Sequence, residues 1–246
     1  MSGLFRVDGA WPSPVTITQG WGRAAARPWN DEARDAFLRL ERGRAQFLRS
    51  ATEHIASLSG SGVFSPAMFV DSTKVWTRAG YEEVRQLDVM ERSLRAEADK
   101  PSRQINQTVD PDWSRILEID RGAFKGFWRM SEEGLREALG STSPSVVLTI
   151  PSGDDQVLGY AIVGSQWGTA YLQRVAVDPT HAGQGIGTDL IRGSVGWART
   201  TAAISIVLNV RPENSQAVRL YERHGFTTTE RNLRILRYGD TTLLGQ

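Results

Sequence analysis

The sequence has no cysteine, and this absence removes several kinds of chemistry at once. A chain without thiols forms no disulfide, offers no thiolate to a metal ion and has no cysteine nucleophile. Net charge is also nearly absent, since 29 basic and 28 acidic residues leave a formal charge of +1. Such a chain has no global field to recruit nucleic acid or an anionic membrane. We therefore expect neither as a partner.

Long apolar runs are missing as well. The N-terminal stretch "MSGLFRVDGAWPSP" has no apolar core of the length that a signal peptide needs. No segment reaches the roughly 18 to 20 apolar residues that span a bilayer. With 40% apolar and 23% charged residues, the composition is that of an ordinary globular protein. We expect a soluble cytoplasmic protein whose 246 residues form one large domain or two smaller ones.

Metal chemistry is not indicated either. The three histidines, His54, His181 and His224, are scattered along the chain without a carboxylate cluster around them. Metal sites need several ligands brought together at suitable spacing. The sequence therefore predicts no metal site.

The first half of the chain reads as a small α/β unit. "VTITQGW" is typical of a strand. Apolar residues near helical spacing from Ala33 to Leu58, after capping residues Asn30 and Asp31, predict one long amphipathic helix. A short helix in "DSTKVWTRAGY" and a strand in "EEVRQLDVMERSL" complete this half.

A polar run, "RAEADKPSRQINQTVDPD", separates the two halves and is typical of a linker. We therefore predict a first domain over residues 1–98, a linker over 99–111 and a second domain over 112–246. The second domain opens with helices in "DWSRILEIDRGAF" and "SEEGLREAL", followed by strands in "VVLTI", "VLGYAIVGS" and "AYLQRVAV". Helices and strands then alternate to a last strand near "RNLRILRYG". This order indicates an α/β fold with a mixed sheet.

An internal repeat appears when the halves are offset by 145 positions, which lays "STKVWTRAGY" over "AVRLYERHGF". A helix that ends at a glycine is common, so chance is one explanation. Duplication is the other, because a strand-like segment follows each match. The first half has no glycine loop, and its Trp76 falls where Tyr221 lies. If the repeat is real, the first half is a degenerate copy.

The stretch "HAGQGIG" places glycines at Gly183, Gly185 and Gly187, after a strand and before a helix. Amide groups at a helix start have no partner within the helix and attract anions, and glycine lets a phosphate approach closely. A P-loop is excluded because Thr188 and Asp189 follow where Lys and Ser or Thr are needed. The dinucleotide pattern G-x-G-x-x-G does not fit either.

A second cluster lies in "LNVRPENSQAVRLYERHGF". Asn214 follows a turn, and Tyr221 comes seven positions later, which is about two helical turns. The two residues therefore lie on one face of the predicted helix. Packing alone would explain Tyr221 by itself, but the two clusters together are far more specific.

Over residues 104–240 the sequence resembles the GNAT superfamily of acyl-CoA-dependent N-acyltransferases, most sharply in "LQRVAVDPTHAGQGIGTDLI" and "NSQAVRLYERHGF". The resemblance implies that strand residues Val175 and Val177 bind the pantetheine arm and thioester, with Asn214 near that arm. It implies that Tyr221 protonates the departing thiolate. It also implies that the coenzyme A pyrophosphate is bound by Gly183, Gln184, Gly185, Gly187 and Thr188.

The expected activity is acetyl transfer from acetyl-CoA, as cosubstrate, to a primary amine by direct attack. The acceptor expected from this branch of the family is the α-amine of a peptide or protein N-terminus, or a small metabolite. Two alternatives stay open. One is a non-catalytic acyl-CoA-binding or regulatory module, and the other is an acetyltransferase for a small-molecule or drug amine.

Two positions depart from the family pattern. Ala182 stands where the loop usually has glutamine or arginine, and Asn209 stands where the N-terminal acetylating branch tends to place a glutamate. An amide cannot accept the proton, so a base must come from elsewhere. Four acidic residues fall in the segment that shapes the acceptor site in this fold, and each is more simply read as a surface carboxylate: Glu118, Asp120, Glu132 and Glu133. Among the tryptophans, Trp128 is the best candidate to line that site.

Overall fold

A computed structural model describes residues 4–95, 99–153 and 156–239. The predicted end of the first domain at residue 98 and the segment 240–246 of the predicted second domain lie outside these residues. The chain packs into two units, one made of Met1–Leu87 with Arg231–Gln246 and the other of Asp88–Glu230. The boundaries at residues 98 and 112 rest on composition and stay a prediction.

Unit 1 is a small α/β body. In chain order its elements are β1 (Arg6–Asp8), β2 (Val15–Gln19), β3 (Gly22–Pro28), β4 (Ala36–Arg42), α1 (Ala45–Ser59), β5 (Val63–Phe64), β6 (Met68–Phe69), α2 (Lys74–Arg78), residues 82–87 of β7 (Glu82–Ser93) and residues 231–238 of β13 (Thr227–Tyr238). Strands β1 to β4 pair in sequence as antiparallel neighbours, and β4 pairs with β5 in parallel. Strands β5 and β6 each pair with β13. The core therefore closes only when β13 is in place.

The single long helix predicted from Ala33 to Leu58 is wrong in its first part. Strand β4 occupies residues 36–42, and α1 begins only at Ala45. Asn30 does accept the N–H groups of Glu32 and Ala33, but it closes a turn and caps no helix. The apolar spacing fits both structures, and pairing of β4 with β3 decides between them. Local periodicity could not reveal that pairing.

The repeated segment has the same local geometry in both units. The N–H of Tyr81 donates to the carbonyl of Trp76 over 3.1 Å, and the N–H of Phe226 donates to that of Tyr221 over 3.1 Å. The rings of each pair also meet edge to face, with centroids 4.8 Å apart in unit 1 and 5.9 Å apart in unit 2. This agreement supports duplication, which stays a prediction.

Unit 2 is a larger α/β body. Its elements are residues 88–93 of β7, β8 (Asn106–Thr108), α3 (Trp113–Ala123), α4 (Glu132–Gly140), β9 (Ser145–Pro151), β10 (Val157–Gln166), β11 (Thr169–Val177), α5 (Ile186–Ala198), β12 (Ser205–Val210), α6 (Ser215–Arg223) and residues 227–230 of β13. Its strands lie in the order β7, β12, β11, β10, β9, β8. Strands β11 and β12 run parallel, and the other described pairs in this order are antiparallel. The predicted mixed α/β sheet is confirmed.

Helices cover both faces of this sheet. Tyr160 and Ile162 of β10 pack in one core with α3 and α4. The alternate residues Ala161 and Val163 pack in a second core with α5. Because successive side chains of a strand point to opposite faces, β10 is buried on both sides. Full burial of a large apolar side chain stabilises the folded state by about 1.5–3 kcal/mol. The buried side chains of β10 therefore contribute strongly to the stability of unit 2.

The predicted linker contains structure that composition did not indicate. Residues 106–108 form β8, which pairs with β9 at the edge of the sheet. Ser102 and Arg103 lie against α5, where both bond to the buried carboxylate of Asp189. The segment 99–111 is therefore part of the packed body of unit 2. No helix among the described residues is both long and apolar enough to cross a membrane.

Candidate active site

The parallel strands β11 and β12 separate partway along their length. Their pairing ends at Leu172 with Leu208, although β11 continues to Val177 and β12 to Val210. A bulge at Gln173 accompanies the separation, because Arg174 and Leu172 pair with adjacent residues of β10. Beyond Leu172 the β12-facing edge of β11 pairs with no strand among the described residues. This edge, which includes Val175 and Val177, has polar backbone groups free to bind another molecule.

The glycine loop joins this edge to the start of α5. Gly183 and Gly185 have φ of 77° and 81°, in the left-handed region that glycine adopts most readily. Gly185 caps α5 without a side-chain hydrogen bond. The first hydrogen bond of the helix runs from the N–H of Asp189 to the carbonyl of Gly185, so the N–H groups of residues 186–188 have no helical partner. Together with the helix dipole, these amides form a site for an anion.

A fixed turn leads into the loop. The side chain of Asp178 accepts hydrogen bonds from the N–H and hydroxyl of Thr180. The hydrogen bond from the Thr180 hydroxyl, with further bonds from the Thr180 N–H and from Arg115, holds the pKa of Asp178 at about 2. The carboxylate therefore stays charged near neutral pH and keeps the turn Pro179–His181 in place.

A cavity of about 580 Å³ opens at the start of α5. Five predicted coenzyme residues line it: Val177, Gly183, Gly185, Gly187 and Thr188. The predicted residues Val175, Gln184, Asn214 and Tyr221 are not among its lining. The structure thus brings the loop and the end of β11 together in one cavity, and the other four predicted residues belong to the same unit.

The cavity also contains basic residues that sequence reasoning did not select as ligands. Arg192, Arg223 and His224 line it beside the loop amides. Burial, together with Arg192 and Arg92, lowers the pKa of His224 below its ordinary value. Arg192 and Arg223 supply the permanent positive charge of the lining, and Asp99, which also lines the cavity, forms an ion pair with Arg192 over 3.0 Å. Arg192 follows Thr188 by one helical turn, and that spacing was the available signal.

Tyr221 is buried, with 8% of its surface exposed, and its ring packs against Phe226. Its hydroxyl has no hydrogen-bond partner among the described residues. Burial raises the pKa of the phenol to about 12, although the positive charge of Arg174 acts in the opposite direction. At neutral pH the group is a protonated, unpartnered donor.

Asn214 forms the N-cap of α6. Its side-chain oxygen accepts the N–H of Ala217 over 3.2 Å, which satisfies one of the free donors of the helix start. The predicted role of Asn214 near the pantetheine arm stays a prediction. The cap gives it a structural role in addition.

The four candidate bases differ in their surroundings. Glu118 is exposed and paired with Arg115, Glu132 is paired with Arg136, and Glu133 is exposed in the first turn of α4. The interpretation of Asp120 as a surface carboxylate is wrong, because its exposed fraction is 0%. Asn209 is exposed on β12, where the family pattern tends to have a glutamate.

Asp120 is the centre of a buried polar network. It accepts hydrogen bonds from the Tyr160 hydroxyl, the N–H of Met130 and two nitrogens of Arg174. Arg174 also donates to the carbonyl of Trp128. These hydrogen bonds link α3 and the segment before α4 to strands β10 and β11. With its oxygens fully engaged, Asp120 is a structural group and a poor candidate for a base.

Similarity to known proteins agrees with this geometry. Residues 113–226 match the model of the acetyltransferase (GNAT) family. An uncharacterized N-acetyltransferase of Methanocaldococcus jannaschii is 30% identical over 50% of this chain and 76% of its own length. A tandem GNAT protein from the clavulanic acid biosynthesis pathway has the same fold, with a TM-score of 0.57, 12% identity and coverage of 96% of this chain and 84% of its own.

Two further relatives have more specific names. A mycothiol acetyltransferase of Mycolicibacterium paratuberculosis is 30% identical over 61% of this chain, and the match spans only 55% of its length. A ribosomal protein bS18 alanine N-acetyltransferase of Haemophilus ducreyi is 27% identical over 50% of this chain and 81% of its own length. The predicted resemblance over residues 104–240 is confirmed in its central part.

Proposed function

Because this chain belongs to the acetyltransferase (GNAT) family, we propose that it transfers an acetyl group from acetyl-CoA to a primary amine. The observation that carries the proposal is the open edge of β11, which continues directly into the amide-lined start of α5. The extended pantetheine arm of acetyl-CoA fits such an edge, and the diphosphate of coenzyme A fits the loop. Arg223 in the cavity adds charge of the sign that phosphates require, whereas the charge of Arg192 is offset by its ion pair with Asp99, which also lines the cavity.

The chemistry assigns roles to this chain's own groups. The amine nitrogen attacks the thioester carbonyl, and backbone N–H groups on the free edge of β11 stabilise the charge that builds on its oxygen. As the carbon–sulfur bond breaks, Tyr221 donates its proton to the departing thiolate. The new amide loses a proton to solvent, and the Tyr221 phenolate takes one back from solvent. Burial disfavours an alkyl thiolate as it does a phenolate, so the pKa values of donor and acceptor rise together.

The acceptor we propose is a weakly basic amine, such as the α-amine of a peptide or protein N-terminus or of a small metabolite. At pH 7 an α-amine of pKa about 7.7–8.0 costs roughly 1 kcal/mol to deprotonate, whereas a lysine amine costs about 5 kcal/mol. Glu118 and Glu132 are paired with arginines, and Asp120 is fully engaged. A site without a strong base favours amines that lose their proton easily.

The test is release of free thiol from acetyl-CoA in the presence of amino acids, peptides with free α-amines, peptides with only lysine amines, and polyamines. We expect release with α-amines and little with lysine side chains. Preferential acetylation of lysine side chains would refute the proposed acceptor class. Tight binding of coenzyme A without release for any acceptor would instead favour a non-catalytic binding module, the alternative that Ala182 and Asn209 keep open.

The pH dependence of the rate follows from the pKa of Tyr221. A donor with a pKa of about 12 stays protonated across the working range, so it produces no loss of rate on the alkaline side below about pH 10. With an α-amine acceptor, kcat/KM should rise up to about pH 8 as the amine loses its proton and then stay level. A descending limb between pH 8 and 9 would assign the proton donor to another group or to a much less buried phenol.

A further inference from the structure

Arg103 contacts the glycine loop from a distant part of the sequence. It lies in the segment 99–111, and its Nη2 donates to the carbonyl of Gln184 over 2.6 Å. Its Nη1 donates to the Asp189 carboxylate over 2.6 Å. One planar guanidinium thus bridges the last part of the loop and the first turns of α5. The loop itself has no basic side chain between Ala182 and Thr188.

The contact with Gln184 fixes the direction of the next amide. In a planar trans peptide the carbonyl and the following N–H point in opposite directions. Because Arg103 binds the Gln184 carbonyl, the N–H of Gly185 faces away from Arg103. That N–H has no partner among the described residues, and Gly185 lines the cavity while Arg103 does not. Gly185 has φ of 81°, and because a glycine backbone can adopt many conformations, the Arg103 contact matters for the direction of this peptide.

The contact with Asp189 offsets a charge of the wrong sign. Asp189 is 1% exposed and sits in the first turns of α5, close to the amides that would hold a diphosphate. Burial alone would raise its pKa, but hydrogen bonds from Ser102 and Arg103 hold it below the ordinary value, so the carboxylate is charged. Without Arg103, a buried negative charge would stand beside an anion site.

We propose that Arg103 is a positioning residue for coenzyme A, which turns the Gln184–Gly185 peptide toward the diphosphate and neutralises Asp189. This inference rests on the proposed function, since it takes the ligand to be coenzyme A. Arg103 does not touch the ligand. It acts through the amide of Gly185 and through the local charge.

The test compares a ligand that has the diphosphate with one that lacks it. Dissociation constants of coenzyme A and of pantetheine are measured by calorimetry on the full chain, wild type and Arg103→Gln. We expect Arg103→Gln to raise Kd for coenzyme A about tenfold or more, the range of a lost charge-assisted hydrogen bond. Kd for pantetheine should stay within about twofold, and kcat at saturating acetyl-CoA should be unchanged while KM rises.

Two further variants test separately the orientation of the Gln184–Gly185 peptide, the charge near Asp189 and a general disturbance of the local structure. Arg103→Lys keeps the charge near Asp189, but one ammonium cannot reproduce the planar bridge, so Kd for coenzyme A should still rise severalfold. Ser102→Ala removes a hydroxyl from the same carboxylate and leaves the Gln184 contact intact, so both constants should stay within about twofold of wild type.

The outcomes are distinct. Equal weakening of coenzyme A and pantetheine by Arg103→Gln, or no change in either, would overturn the role of Arg103. Wild-type affinity in Arg103→Lys would overturn the orientation step. A wild-type protein that binds coenzyme A but acetylates nothing would refute the enzyme proposal and leave the role of Arg103 standing on the binding data.

Discussion

Replacement of Tyr221 by phenylalanine is expected to lower kcat by about 100-fold or more, the range in which general acids contribute. Phenylalanine keeps the ring and its edge-to-face contact with Phe226. The lost hydroxyl has no hydrogen-bond partner among the described residues, so the fold loses no bond. A drop in kcat with unchanged thermal stability and unchanged coenzyme A affinity would therefore locate the loss in the proton transfer.

Tyr81→Phe is the matched control, because Tyr81 is a buried tyrosine at the repeat position of Phe226 in unit 1. Its hydroxyl bonds to Thr52 over 2.8 Å, so this variant should lose about 1 kcal/mol of stability and keep its activity. Steady-state kinetics and thermal unfolding of both variants give the comparison. A kcat of Tyr221→Phe within twofold of wild type would show that another group, or water, protonates the thiolate.

The second large effect is on stability, and it concerns the pair of Asp120 and Arg174. Asp120 is fully buried and Arg174 nearly so, with 12% of its side chain exposed. Asp120→Asn keeps the shape but leaves a buried guanidinium without its counter-charge. Removal of one partner from a buried pair costs about 3–5 kcal/mol. For a chain of this length, this is expected to lower Tm by roughly 10 °C.

Arg174→Met and the double variant complete a cycle for this pair. The double variant should cost much less than the sum of the two single changes, because neither charge is then left alone. Glu132→Gln is the comparison, since its partner Arg136 is 51% exposed, and such surface pairs are worth below about 1 kcal/mol. Additive single effects in urea unfolding would show that Asp120 and Arg174 stabilise the protein independently.

Most helices and strands of unit 2 after residue 112 were predictable because their signals are local. The strand "AYLQRVAV", the glycine loop and the helix of Tyr221 each follow from turn residues and periodicity within about ten positions. In unit 1 apolar spacing predicted one long helix, whereas the structure has strand β4 followed by helix α1. There the apolar spacing is ambiguous, and pairing with β3 selects the strand.

The site was predictable only where the backbone forms it. Glycines before a helix indicate amides that point at an anion, whatever the rest of the chain does. Arg103 and Asp120 act through partners that lie 81 and 54 positions away in sequence, Gln184 and Arg174. No periodicity connects such positions. A charged residue is most simply read as solvated, so Arg103 in its polar run was not selected and Asp120 was interpreted as a surface carboxylate.

Unit 1 is assembled from two separate stretches of the chain. The residues 231–238 contribute buried Leu236 to its core, and Arg237 bonds to Asp35. A ribosome makes all of Asp88–Glu230 before it reaches this strand. Unit 1 is therefore begun first during synthesis and completed last. The full sequence of unit 2 has been made while unit 1 still lacks residues 231–238.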